Sequence, residues 1–174
     1  MSKQAIIRKA EISDAMQIAE VNTQSWKETY PGIMPEEKLA RLNVESCHQN
    51  WLTAISAGCV IFVACIDNEV VGFVSGGINR EQDNCETGAG NACECELAAM
   101  YLLQKYHKQG IGRNLFDRFK LEMQQANFLT MVVWVAEKNS TTGFYASMGG
   151  EQIDRKILDI CNTPVPVVAY KYNI

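Results

Sequence analysis

Residues 94–123, ECELAAMYLLQKYHKQGIGRNLFDRFKLEM, constrain this chain more than any other stretch. An apolar run over residues 96–103 is long enough for a strand, and a polar turn follows at 104–109. Then come two glycines one residue apart, Gly110 and Gly112. After them Ile111, Leu115, Phe119 and Met123 recur at four-residue spacing, which predicts an amphipathic helix. A strand, a glycine turn and a helix together make an anion site. The first N–H groups of a helix have no partner within it, and the helix dipole adds partial positive charge there. Glycine lets backbone approach a phosphate with no side chain between them. The stretch therefore predicts a ligand that carries phosphate.

Composition sets the bounds around that site. The 174 residues suffice for one domain with a sizeable core, and the reading takes residues 1–174 as a single domain. The net charge of −4 gives no basic footprint for nucleic acid. No apolar stretch reaches membrane-spanning length, and the N-terminal residues lack the apolar core of an export signal, so no membrane partner is expected and a cytoplasmic location is. Seven cysteines, an odd number, are then expected as free thiols. Cys93 and Cys95 stand close together with Cys85 nearby, but a zinc site needs more ligands, and neither His48 nor His107 is spaced to supply them. The expectation is buried thiols and no metal.

Taken in order, the chain opens with a short strand at 5–8. A helix follows, capped by Ser13 or Asp14, and it ends at Tyr30-Pro31-Gly32. Pro35 opens a second helix, and residues 45–57 form a third with Trp51, Leu52 and Ile55 inward and Gly58 as its stop. Continuous apolar runs at 60–66 and 70–75 flank Asp67-Asn68 and predict a hairpin buried on both faces. A long polar loop, 79–91, carries Glu81, Asp83 and Glu86 and is expected to be solvated. Asn127 closes the amphipathic helix. A strand at 129–135, a short helix capped by Ser140 or Thr141, and a hairpin of 152–160 with 165–172 across Asn162-Thr163-Pro164 complete the chain.

That order, with three motifs, resembles the GNAT superfamily of acetyl-CoA-dependent N-acetyltransferases over nearly the whole chain. The sharpest motif is YHKQGIGRNL, residues 106–115, against the family pattern Q/R-x-x-G-x-G/A. Gly110 and Gly112 fit; His107 stands where the pattern has Gln or Arg, and Lys108 where a glycine is frequent. The second motif is VWVAEKNSTTGFYASMGG, with its Asn, Phe-Tyr and terminal glycine. The third is WKETYPGIMP, residues 26–35. The resemblance implies an α/β (α+β) fold: a central mixed, mostly antiparallel sheet with one splayed parallel strand pair and flanking helices.

It also implies roles. Acetyl-CoA is the expected co-substrate, with its pantetheine arm between the splayed strands on the backbone of Met100, Tyr101 and Leu102. Its pyrophosphate is expected on the turn of His107, Lys108, Gln109, Gly110, Ile111, Gly112 and Arg113, and Asn139 is expected on the arm. Tyr145 matches the family's general acid. Glu96, at the start of the splayed strand, is the candidate base, acting directly or through water. Trp26 and Tyr30 are expected to wall the acceptor pocket. The implied reaction is direct acetyl transfer to a primary amine of a small molecule or peptide, with a homodimer as one option. Two other readings stay open: a coenzyme A-binding regulatory domain without turnover, and a nucleotide-binding βαβ domain. The last wants G-x-G-x-x-G, and its third glycine is missing here.

Overall fold

The structure, a computed structural model, describes residues 4–80 and 92–174. The acidic loop residues Glu81, Asp83 and Glu86, and Cys85, lie outside the described residues. One seven-stranded sheet runs through the chain in the order β1-β2-β3-β4-β5-β7-β6. Its strands are β1 (Ile6–Lys9), β2 (Val60–Ile66), β3 (Glu69–Ile78), β4 (Cys95–Leu102), β5 (Thr130–Ala136), β6 (Glu151–Ile160) and β7 (Thr163–Asn173). The helices are α1 (Ala15–Thr29), α2 (Glu36–Ala40), α3 (Val44–Ser56), α4 (Ile111–Gln125) and α5 (Thr142–Ser147). Every neighbouring pair is antiparallel except β4 with β5, which is parallel.

The unbroken apolar run of β2 follows from its position inside the sheet. Phe62, Ala64 and Ile66 turn to the α4 face, and Ile61, Val63 and Cys65 turn to the face covered by α1 and α3. A strand covered on both faces has no polar side to show. On the first face, Ile111, Leu115, Phe116, Phe119 and Met123 of α4 are all at most 4 % exposed. Burial of each such side chain contributes about 1.5–3 kcal/mol. On the other face Trp51 of α3 meets Phe73 edge-on, with ring centroids 4.9 Å apart.

Several boundaries differ from the sequence reading. Asp14 does not cap α1 by itself. Residues Ile12–Asp14 form a 3₁₀ turn, and the buried Asp14 carboxylate accepts from the Glu11 N–H at 2.7 Å and from both guanidinium nitrogens of Arg8, at 2.7 and 2.8 Å. The Arg8 bonds hold that carboxyl below the usual carboxylate range and tie α1 to β1. Pro35 lies just before α2 rather than within its first turn. The cap of α3 is Asn43, whose side chain accepts from the Ser46 N–H at 2.9 Å. The last hairpin turns on two residues, Cys161 and Asn162, both at positive φ, as Asp67 and Asn68 are in the first. Paired positive φ values match the right-handed twist of the flanking strands, so Thr163 and Pro164 already belong to β7.

The feature that positions the site is an irregularity between β3 and β4. Their register slips between Ser75 and Gly76, leaving Ala98 as an extra residue in β4. At that slip the two backbones approach closely: a Cβ on Gly76 would overlap the Glu96 carbonyl oxygen and the Phe119 ring. Gly76→Ala is therefore expected to lower the unfolding free energy by about 1–3 kcal/mol, as forced overpacking does. Urea denaturation measures it, and unchanged stability would show that the strands separate there at no cost.

Candidate active site

Strands β4 and β5 pair only at Cys95 with Met131 and Glu96 with Val132. Beyond those pairs they diverge. The Leu103 N–H donates to the Val71 carbonyl at 3.0 Å, on the β3 side. Backbone groups alternate along a strand, so Tyr101 also turns its N–H and C=O to β3, whereas Met100 and Leu102 turn theirs toward the gap. An edge of this kind inside a protein costs about 1–3 kcal/mol per unsatisfied group. The Met100 and Leu102 side chains pack on the α4 face. The Tyr101 ring goes the other way, against Trp26, Tyr30 and Phe73.

At the open end of the gap, a 3₁₀ turn at Gln104–Tyr106 leads into α4. Lys108 and Gly110 both have positive φ, 59° and 80°. That explains why glycine suits position 108: a lysine there holds a backbone shape glycine adopts without strain. The first helical bond of α4 runs from the Asn114 N–H to the Gly110 carbonyl, and no side chain caps the helix. The amides of Ile111, Gly112 and Arg113 thus have no partner within the helix. The side chains of His107, Lys108, Gln109 and Arg113 are exposed around them. The His107 ring turns back to β4, with Nε2 2.8 Å from the Leu102 carbonyl oxygen. The sequence reading placed His107 only by its motif position, and this contact is new.

Five side chains from distant parts of the chain meet near the same end. Tyr30, the last residue of α1's final turn, packs on Trp26 with centroids 4.5 Å apart. It also contacts Ala136 of β5 and Tyr101 of β4, so it bridges the two diverging strands. The Tyr30 and Tyr101 hydroxyls are 3.5 Å apart. Asn139 is buried, and its Oδ1 holds the turn before α5 by accepting from the Thr141 N–H at 3.0 Å. Its amide lies beside the Tyr30 hydroxyl. Tyr145, 6 % exposed, stacks on Tyr170 at 6.3 Å, and its carbonyl accepts from the Tyr172 hydroxyl at 2.7 Å. Burial first, then the nearby phenols of Tyr30 and Tyr172, push the Tyr145 phenol well above its ordinary value. Tyr145 therefore keeps its neutral phenol form around neutral pH.

Glu96 is placed apart from this group. It sits at the closed end, paired with Val132, about five strand residues or roughly 16 Å along β4 from Tyr101. It is buried, and Arg80 binds its carboxylate through the guanidinium Nε. Beside it lies a cleft of about 630 Å³, lined by Trp51, Ser75, Gly76, Arg80, Glu96 and Ala98 among others. Arg80 and the Tyr101 ring were absent from the acceptor-side residues read from sequence. For Tyr101 the signal was available: strand alternation puts its side chain opposite those of Met100 and Leu102. For Arg80 there was none, because a loop arginine finds its partner only in three dimensions.

Cys93 and Cys95 are fully buried, and burial pushes the Cys95 thiol up to about 12 and the Cys93 thiol upward. Among the described residues, no group of three or more His, Cys, Asp or Glu side chains is placed to hold a metal ion. No helix among them is long and apolar enough to cross a membrane.

Known proteins place this architecture. Residues 57–149 match the family described as "Acetyltransferase (GNAT) domain", which spans β2 through α5 and so includes the splayed strands and α4. The chain is 33% identical over 148 residues to YuaI, an uncharacterized N-acetyltransferase of Bacillus subtilis, covering 84% of this chain and 80% of that protein. Among solved structures, an N-acetyltransferase from Staphylococcus aureus Mu50 superposes with a TM-score of 0.76 at 16% identity, covering 98% of each chain. The PaiA N-acetyltransferase of Thermoplasma acidophilum, solved in complex with coenzyme A, gives 0.68 at 23% identity over 97% of this chain and 99% of that one. Matched in sequence across the strands and helices that build its gap, the chain belongs to the GNAT family of acetyltransferases and is an acyltransferase enzyme.

Proposed function

We propose that the protein moves the acetyl group of acetyl-CoA directly to a primary amine of a small molecule or peptide. The observation that carries this is the juxtaposition of the β4–β5 gap with the uncapped start of α4. The gap presents backbone of Met100 and Leu102 to an amide-bearing chain, and the helix start presents free N–H groups to a pyrophosphate. The solved relatives bound to coenzyme A and, in Salmonella typhimurium YncA, to acetyl-CoA carry the same fold, which supports that ligand here.

In this reading the turn that begins at His107 holds the pyrophosphate on the amides of Lys108 to Arg113, with Lys108 and Arg113 adding positive charge. Met100 and Leu102 pair with the pantetheine arm, and the buried Asn139 borders it. Trp26, Tyr30 and the Tyr101 ring wall the acceptor side. The amine attacks the thioester carbonyl; a C–N bond forms, the C–S bond breaks, and one proton leaves the nitrogen while another reaches sulfur. Tyr145 gives the proton to sulfur. Its raised phenol pKa keeps it in the acid form while the amine loses its proton. The Glu96 carboxylate, at the far end of the gap beside Arg80, takes the amine's proton through water.

The test is release of coenzyme A thiol from acetyl-CoA against a panel of amines, including amino acids, polyamines and N-terminal peptides. Tight coenzyme binding with no release for any amine would support a regulatory coenzyme-binding role instead. Tyr145→Phe is expected to lower kcat by about a hundredfold or more while the affinity for acetyl-CoA stays the same; an unchanged kcat removes Tyr145 from the reaction. The rate of the parent enzyme should rise with pH as the amine deprotonates, with no fall from Tyr145 ionisation below the ordinary phenol value of 10.0. Glu96→Gln should slow transfer most for strongly basic amines. An equal loss for weakly and strongly basic amines would limit Glu96 to anchoring Arg80.

A further inference from the structure

His107 bonds a carbonyl, and a carbonyl only accepts, so the Nε2 atom carries the hydrogen and donates it. The same residue donates its backbone N–H to the Gln104 carbonyl at 3.0 Å, and Tyr106 donates to the Leu103 carbonyl at 2.9 Å. The segment leaving β4 is therefore folded back and fastened to the end of the strand at His107. Immediately afterwards the backbone enters the left-handed region at Lys108, which is unfavourable for a lysine, and again at Gly110. A strained turn keeps its shape only when its surroundings fix it. On the strand side, two side-chain bonds do so: the His107 ring on Leu102, and Gln109 Nε2 on the Lys105 carbonyl at 3.1 Å.

We infer that His107 is a positioning residue for the pyrophosphate, acting through its ring bond to Leu102 rather than by touching the phosphate. The bond anchors the turn to β4, so the amides from Lys108 to Arg113 converge on one point. This rests on the reading that coenzyme A binds at the start of α4. It also explains the residue's departure from Gln or Arg: all three side chains carry an N–H donor that can reach back to a strand carbonyl, and the anchoring function needs no more than that.

The experiment compares two ligands on the full chain. Coenzyme A carries the pyrophosphate; pantetheine does not. His107→Ala is expected to weaken coenzyme A binding about tenfold by calorimetry, the effect of losing one ordering hydrogen bond. Pantetheine affinity, followed by NMR titration, should stay unchanged. His107→Gln should restore coenzyme A affinity to within about threefold of the parent, since its amide supplies the same donor. Unchanged coenzyme A affinity in His107→Ala would overturn the inference. So would equal weakening of both ligands, which would place the effect on the arm, or failure of Gln to restore, which would assign it to the imidazole itself. Gly112→Glu separates this from the underlying reading. A Cβ there meets only the Phe144 ring, at 3.9 Å, so the backbone has room for a side chain, and glutamate adds bulk and negative charge beside the free amides. If Gly112→Glu leaves coenzyme A affinity intact, the pyrophosphate lies elsewhere. If it weakens binding and His107→Ala does not, the positioning role alone fails.

Discussion

The rest of the site depends on one interruption of hydrogen bonding, the parting of β4 from β5 after two residue pairs. In a continuous parallel pair, Met100 and Leu102 would spend their N–H and C=O groups on β5. Parted, the strands leave a polar edge in the middle of the sheet, where an unsatisfied group is costly. The fold tolerates this because both flanks are secure. β4 is paired along β3 from Ile78 to Gly72, and β5 is paired along β7 from Thr130 to Ala136. The slip at Ser75–Gly76 and the glycine there allow β4 to bend away while keeping its β3 partner. The gap is thus a feature of two well-held strands, with an edge suited to a ligand that brings its own amides.

The two faces of the gap differ in chemistry. Below it, α4 packs an apolar stripe on the sheet, and its uncapped start lies where β4 ends. The His107 bond joins those two elements, so the turn before α4 is tied to the open strand edge. Above it, α1 brings Trp26 and Tyr30 across the mouth, where they meet Tyr101 and Asn139. This side is aromatic and phenolic and its groups are neutral, so burial costs little while hydroxyls remain for hydrogen bonding. At the far end lies the ion pair of Arg80 with Glu96.

Much of this was legible in the sequence because it follows from short-range periodicity. The four-residue spacing from Ile111 to Met123 produced α4, and the unbroken run of residues 60–66 produced a strand covered on both faces. The glycines of the turn and the Asn and Phe-Tyr of the second motif carried the family resemblance on which the proposed site rests. Boundaries moved where a side chain from elsewhere decides the end. Asn43 capped α3 one residue early, Asp14 answered to Arg8 across a strand, and paired left-handed residues shortened the last turn.

By itself the sequence determined the elements, their order and the glycine turn before α4, since each is set by neighbours within a few residues. Only the tertiary structure decided which way Tyr101 faces, that Glu96 belongs with Arg80 and apart from Tyr145, and that the His107 ring bonds Leu102. Those outcomes depend on strand register and on where the turn folds back. A shift of one residue in register would exchange the faces of every side chain on β4. The register is fixed by packing on two faces and by the close approach at Gly76, and both exist only once the sheet has formed.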